Sequence, residues 1–227
     1  MFGPALAGAE RYADLLAGPA VQQGIIGPRE TGRLWDRHLL NCAAVAELIP
    51  HPCSLIDLGS GAGLPGVVIA MMLPDVRVVL LEPMARRVAF LEECVRTLGL
   101  GNAEVWRGRA EDAAGQLTAD VVTARAVAPM ERLVGLALGL VRPGGLVLAI
   151  KGAGAAEELE RARPVLRRAG ARDAAVVHAG SGRVNPPPAV IRLTAGTVAL
   201  GTDRSETGST DRRDAGSPAR PGGAGSL

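Results

Sequence analysis

Short, nearly uninterrupted apolar runs recur along this chain, and between them apolar residues fall three and four positions apart. Residues 55–58, 76–82, 103–107, 119–125 and 146–150 read as strands, the first two of them as buried strands of a parallel sheet. Residues 67–73, 85–98, 129–140 and 155–169 have the length and composition of helices, and Gly99 closes the second of these. Two more strand-like runs lie at 174–178 and 189–193, and Arg142-Pro143-Gly144-Gly145 reads as a turn ahead of the fifth strand. Before the first strand, residues 5–17 form a predicted helix with Leu6, Ala9, Tyr12, Ala13 and Leu16 on one face, ended by Gly18-Pro19. Residues 24–32 read as a loop. A second helix is predicted over 34–48, burying Trp35, Leu39, Cys42, Val45, Ala46 and Ile49 and carrying Arg37 and His38 on its first turn.

Alternating strands and helices predict an α/β fold with an open, mostly parallel, doubly wound sheet. The expected organisation is an N-terminal helical extension over 1–52, a core over 53–196 and a low-complexity tail over 197–227. The tail is too poor in apolar residues to bury itself, so it is predicted to be disordered.

Polar residues collect at the C-terminal ends of the predicted strands, where this architecture binds ligands: Gly59, Glu82, Ala110-Glu111, Arg125 and Lys151. The glycine turn after the first strand fits two registers. Gly61-x-Gly63-x-x-Gly66 matches a dinucleotide fingerprint, with Glu82 at the distance of a ribose-binding acid. Asp57-x-Gly59-x-Gly61-x-Gly63 resembles the first motif of class I S-adenosylmethionine (SAM) methyltransferases, again with Glu82 on the ribose. The acid Asp57 favours SAM, because a carboxylate meets a cationic amino-acid group but repels a pyrophosphate.

Composition narrows the field. At 227 residues the chain has the size of one domain with appendages, and it shows no apolar run long enough to span a bilayer. Its three cysteines form no C-x-x-C pair and have no histidines at ligand spacing, so no metal site or disulfide framework is expected and a reducing cytoplasm fits. A net charge of +2 does not announce a nucleic-acid binder. Lys151 is the one lysine among 25 cationic side chains, which marks it as a position that needs a compact ammonium. The few aromatics make no evident base-stacking platform, while Arg29, Arg33, Arg37, Arg125 and Lys151 form a candidate phosphate-contacting patch. Taken alone, His38 reads as a packing histidine and Arg37 as a solvated charge.

Leu34-Trp35-Asp36-Arg37-His38-Leu39-Leu40, the run from Asp57 to Gly66, Leu80-Leu81-Glu82, Arg109-Ala110-Glu111 and the run from Val121 to Pro129 together resemble the RsmG (GidB) family, over roughly residues 10–195. That resemblance implies a class I SAM-dependent methyltransferase, Rossmann-like in fold, that methylates guanine N7 in 16S ribosomal RNA. It implies that Gly59, Gly61, Gly63 and Leu64 line the SAM pocket, that Glu82 holds the ribose, and that Ala110 and Glu111 flank the adenine. Arg125 would stand at the edge between cofactor and substrate, and Arg37, His38 and Lys151 would face the RNA; Arg125 and Lys151 are the candidate catalytic-site cations in a mechanism of positioning. The implied partner is 16S RNA or the small-subunit particle, acted on by a cytoplasmic monomer. The sequence departs from the family at Ile25-Ile26-Gly27-Pro28-Arg29-Glu30, where many relatives carry Asn-Leu-Thr. Two alternatives stand beside this reading: a non-catalytic SAM- or RNA-binding module, which intact pocket residues argue against, and an NAD-dependent oxidoreductase, which lacks an evident hydride-transfer set.

Overall fold

The computed structural model describes residues 1–196; the predicted disordered tail lies outside the described residues. Seven strands form one sheet in the order β3-β2-β1-β4-β5-β7-β6. These are β1 (Cys53–Leu58), β2 (Val76–Glu82), β3 (Ala103–Arg107), β4 (Ala119–Arg125), β5 (Val141–Lys151), β6 (Arg172–His178) and β7 (Ala189–Thr194). The first five run parallel, and β7 pairs antiparallel with both β5 and β6. The strand order reverses between β1 and β4. In a doubly wound sheet that is where the connecting helices leave to opposite faces and open a crevice at the strand ends.

The alternation within β1 explains the two-sided core. Leu55 packs on one face with α1 (Leu6–Ala17), α4 (Gly66–Met72) and α5 (Ala85–Leu98). Ile56 and Leu58 pack on the other face, with α7 (Met130–Leu138) and α8 (Ala155–Arg168). Helices α7 and α8 bury Met130, Leu133, Val134 and Ala137, and Ala155, Leu159, Ala162 and Leu166 respectively. Those spacings of three, four and seven are the apolar stripe a sheet-covering helix needs.

Three local predictions change. The Arg142–Gly145 turn is a bulge inside β5: Val141 pairs with Ala119, and pairing resumes only at Leu146 with Val121. Gly144 turns the bulge at φ +78, and a Cβ on Gly145 would stand 2.6 Å from the Asp120 carbonyl oxygen. Leu6, placed on the buried face of α1, is 48% exposed, whereas Ala9, Tyr12, Ala13 and Leu16 are buried. The segment around 24–48 is more ordered than a loop and one helix. After α2 (Pro19–Gln22), a 3-10 helix spans Pro28–Arg33, a π-helical turn spans Leu34–Leu39, and α3 (Leu40–Ala46) continues from it. A π turn widens the helix by one residue and is frequent at functional sites; this one carries Arg37 and His38.

Candidate active site

At the C-terminal end of β1 the chain turns on Gly59 (φ +68), Gly61 (φ +60) and Gly63 (φ +95), a left-handed path that side chains resist. Two cavities meet at this turn and share Gly59, Arg87 and Ala126. The first, about 270 Å³, is lined by Leu58, Gly59, Leu81, Glu82, Ala110 and Glu111 among others, including the exposed side chains of Met84 and Val127. The second, about 350 Å³, is lined by Gly59–Ala62 and Leu64 on the sheet side, and by Ile25–Gly27, Glu30, Arg37 and His38 from the N-terminal segment, with Arg125 at its edge.

Glu82 organises the first cavity. It ends β2, is 1% exposed, and its carboxylate accepts the Gly61 N–H at 2.9 Å and the Met84 N–H at 3.0 Å. A buried carboxylate tolerates that position because charge-assisted bonds to backbone donors replace the lost water. Two bonds leave acceptor capacity on its oxygens, since an ionised carboxyl offers about four lone-pair directions. The acid therefore fixes the glycine turn and still has capacity to accept a vicinal pair of hydroxyls.

Asp57 behaves differently from the expectation. Its carboxylate lines neither cavity: Oδ2 accepts the Gly66 N–H at 3.0 Å and Oδ1 accepts the Thr123 hydroxyl at 2.9 Å. Burial pushes its pKa up to about 6, with the hydrogen bonds from Thr123, Gly66 and Ser60 pulling part of the way back. The physical reason is that the first N–H of α4, at Gly66, has no partner within its own helix, and Asp57 satisfies it. Asp57 is a brace between β1, β4 and the turn.

Of the predicted cofactor residues, Gly59, Glu82, Ala110 and Glu111 line the first cavity, and Gly61, Leu64 and Arg125 the second. Gly63 lines neither. A Cβ there would lie 2.5 Å from Val67 Cγ2 and 2.8 Å from the Tyr12 hydroxyl, so the glycine is demanded by the packing of α1 and α4 against the turn. Arg37 and His38 line the second cavity as expected. Lys151 does not. Its ammonium donates to the Ala128 carbonyl at 3.0 Å and to Glu158 at 2.7 Å, and Glu158 also accepts the Met130 N–H at 2.7 Å. At 12% side-chain exposure it latches the β4–α7 loop onto α8. Arg29 and Arg33 line neither cavity.

Several residues have a role at the site that the sequence does not show. Tyr12 donates its hydroxyl to the Ala62 carbonyl at 2.6 Å, tying α1 to the turn. Ala126 follows Arg125 at φ +55, a backbone strain of the kind that collects at functional sites. Arg87 reaches the junction of the cavities, where its Nη1 lies 3.7 Å from Glu82 and its buried Nε finds no hydrogen-bond partner among the described residues. An unsatisfied buried donor beside a cavity is a place for a ligand's acceptor. The arrangement fits SAM: an acid for ribose hydroxyls, the β3–α6 (Ala110–Ala113) loop for a flat base, and glycines where a side chain would intrude. On Gly59, a Cβ would stand 2.8 Å from Val127. Among the described residues no group of three or more His, Cys, Asp or Glu side chains could hold a metal ion, and no helix is long and apolar enough to cross a membrane.

Sheet order, helix placement and crevice are those of the class I SAM-dependent methyltransferases. Fibrillarin of Aeropyrum pernix, solved with natively bound SAM, superposes with a TM-score of 0.52 over 70% of this chain and 76% of its own, at 22% identity. A precorrin-6y C5,15-methyltransferase of Geobacter metallireducens does so with a TM-score of 0.52 over 69% and 87%, at 15% identity. Sequence comparison narrows the class. The family model for rRNA small subunit methyltransferase G matches residues 5–185. The ribosomal RNA small subunit methyltransferase G of Thermobifida fusca is 54% identical over 98% of this chain and 91% of its own length; that of Streptomyces avermitilis is 47% identical over 94% and 93%. The chain belongs to the rRNA small subunit methyltransferase G (GidB) family. Membership selects the SAM register of the glycine turn over the dinucleotide one.

Proposed function

We propose that this chain transfers a methyl group from SAM to N7 of a guanine in 16S ribosomal RNA, with the first cavity holding the cofactor and the second admitting the base. The observation that carries the assignment of cavities is Glu82, buried at the end of β2 and held by the Gly61 and Met84 amides. Bound SAM supplies an electrophilic methyl group on a sulfonium. Glu82 accepts the ribose hydroxyls, Ala110 and Glu111 border the adenine, and Gly59 lets the backbone approach where the cavities join.

Guanine N7 has a lone pair in the ring plane and no proton to lose, so no general base is required. The chain's contribution is alignment and exclusion of water, which for a bimolecular transfer supplies a large share of the barrier reduction. Arg37 and Arg125 line the second cavity as donors for phosphate or base acceptors, while Lys151 is engaged by the Ala128 carbonyl and Glu158. The reaction takes place in the cytoplasm with the protein as a monomer, and the three free cysteines suit a reducing compartment.

The test is methyl transfer from radiolabelled SAM to small-subunit RNA from a strain lacking this protein, with the product base identified. Label in 7-methylguanosine, lost with Glu82→Ala together with SAM affinity, is the expected result. SAM binding without transfer to the RNA or to the small-subunit particle would refute the catalytic reading, and unchanged SAM affinity in Glu82→Ala would refute the assignment of the cavities.

A further inference from the structure

Glu30, His38 and Arg125 arrive from the 3-10 helix, the π turn and the end of β4, and meet on the wall of the second cavity. The His38 Nε2 lies 2.8 Å from Glu30 Oε2, and the Arg125 guanidinium contacts His38 Nδ1 through Nη2. Arg125 also donates through Nη1 to Cys42 Sγ at 3.3 Å, and Nη2 lies 3.5 Å from the Arg37 carbonyl oxygen. A guanidinium offers only donors, so its contact with Nδ1 requires a lone pair there. A neutral imidazole with a lone pair on Nδ1 carries its proton on Nε2, and that proton points at Glu30. The carboxylate therefore decides which tautomer the ring adopts, and the tautomer decides whether Arg125 has an acceptor.

Charge and burial agree with a neutral ring. Burial pushes the His38 pKa below its ordinary value; the hydrogen bond and charge of Glu30 raise it, while Arg125 and Arg37 lower it. The Glu30 carboxyl is held below its own ordinary value, first by the bond from His38; burial opposes this, and the charges of Arg37, His38 and Arg33 lower it further. Without the ring nitrogen, the other guanidinium contacts are a thiol and one long carbonyl contact, both weak.

We propose that Glu30 is a positioning residue for methyl transfer: it holds His38 as the Nε2–H tautomer, whose Nδ1 fixes the Arg125 guanidinium on the wall of the substrate cavity. Glu30 itself stands on the wall of the second cavity, and in this role it acts through the His38 and Arg125 side chains. This rests on the methyltransferase reading above and adds a part that the glycine motif and the strand-end acids do not contain.

Asparagine provides the discriminating variant, because its side-chain oxygen sits near the place of Nδ1 and accepts from Arg125 whatever Glu30 does. Glutamine instead places its polar end near Nε2, where it reaches Glu30 and offers Arg125 nothing. Turnover on small-subunit RNA and the SAM dissociation constant are measured for wild type, Glu30→Ala, His38→Asn, His38→Gln and the Glu30→Ala/His38→Asn double variant. The expected result is a fall in kcat of about 10- to 100-fold for Glu30→Ala with unchanged SAM affinity, the size of effect a displaced positioning group produces. In the His38→Asn background the same change should cost less than about threefold, since the link it acts through is gone. His38→Asn should retain far more turnover than His38→Gln, a comparison that stands even if Glu30→Ala does not fold. Equal losses for Glu30→Ala in both backgrounds, wild-type turnover in Glu30→Ala, or equal turnover in the two His38 variants would overturn the proposal. A wild-type protein with no turnover would instead count against the methyltransferase reading itself.

Discussion

Replacing Asp57 by Asn should remove a pH dependence of stability that runs opposite to the usual one for carboxylates. Asp57 is 1% exposed, and its pKa is pushed up to about 6 from an ordinary 3.8 by burial, against the bonds from Thr123 and Gly66. In the unfolded chain the group ionises near its ordinary value. Between the two values the folded protein therefore holds a proton that the unfolded chain has released. Stability contributed by this group is greatest below the unfolded value, falls as pH rises through that window, and levels off above the folded value. Roughly two units at about 1.4 kcal/mol each give a loss of about 3 kcal/mol across the window. The Asn side chain keeps an acceptor for the Gly66 N–H and gains a donor for the Thr123 hydroxyl, with nothing to titrate. Urea unfolding of both proteins, at steps from about pH 4 to about pH 7, measures the difference in stability. Glu30, Asp75, Asp120 and Glu160, whose pKa values are lowered by their partners, contribute equally to both proteins and cancel. Wild type should lose about 3 kcal/mol relative to D57N over that range. A difference that stays flat, or one that moves in favour of wild type with rising pH, would show that the buried carboxylate is better compensated than its surroundings imply.

Two further changes test the packing that supports the cavities. Gly63→Ala combines a φ of +95 with a Cβ only 2.5 Å from Val67, and should cost about 2–4 kcal/mol in chemical unfolding; a loss under about 1 kcal/mol would mean that α1 and α4 yield easily. Lys151→Met should cost about 2–3 kcal/mol by stranding the Glu158 carboxylate at 16% exposure. Adding Glu158→Gln should recover at least 1 kcal/mol of that loss, because the amide oxygen still accepts the Met130 N–H. Strictly additive costs in the double variant would refute the latch.

Much of the sheet was readable because its central strands are buried on both faces, so β1, β2 and β4 carry apolar runs that need no partner to identify them, while β3, at the sheet edge, is mixed in sequence and buries none of its residues fully. The cofactor acids were readable for a related reason: the topology sends the C-terminal ends of the five parallel strands, β1 to β5, to one edge. Residues whose roles depend on where a side chain turns were less legible. Asp57 and Lys151 both sit at the ligand-binding edge, yet one faces the N-terminus of α4 and the other faces Glu158, choices made by short-range hydrogen bonds. Glu30 shows the limit most clearly. It is an isolated acid in a stretch without periodicity, and its meaning depends on Arg125, reached through His38 across a sequence separation of 87 residues.

The N-terminal segment is therefore part of the site's construction. Neighbouring residues of the glycine turn are tied in opposite directions: the Gly61 N–H to Glu82, on the cofactor side, and the Ala62 carbonyl to Tyr12 of α1. The same segment supplies Ile25–Gly27, Glu30, Arg37 and His38 to the second cavity. One peptide span thus takes its position from both the cofactor acid and the helical extension. A displacement of α1 would move the backbone that both ligands approach, which is why a buried tyrosine hydroxyl placed on a loop carbonyl matters here more than its bond strength of about 1 kcal/mol would indicate.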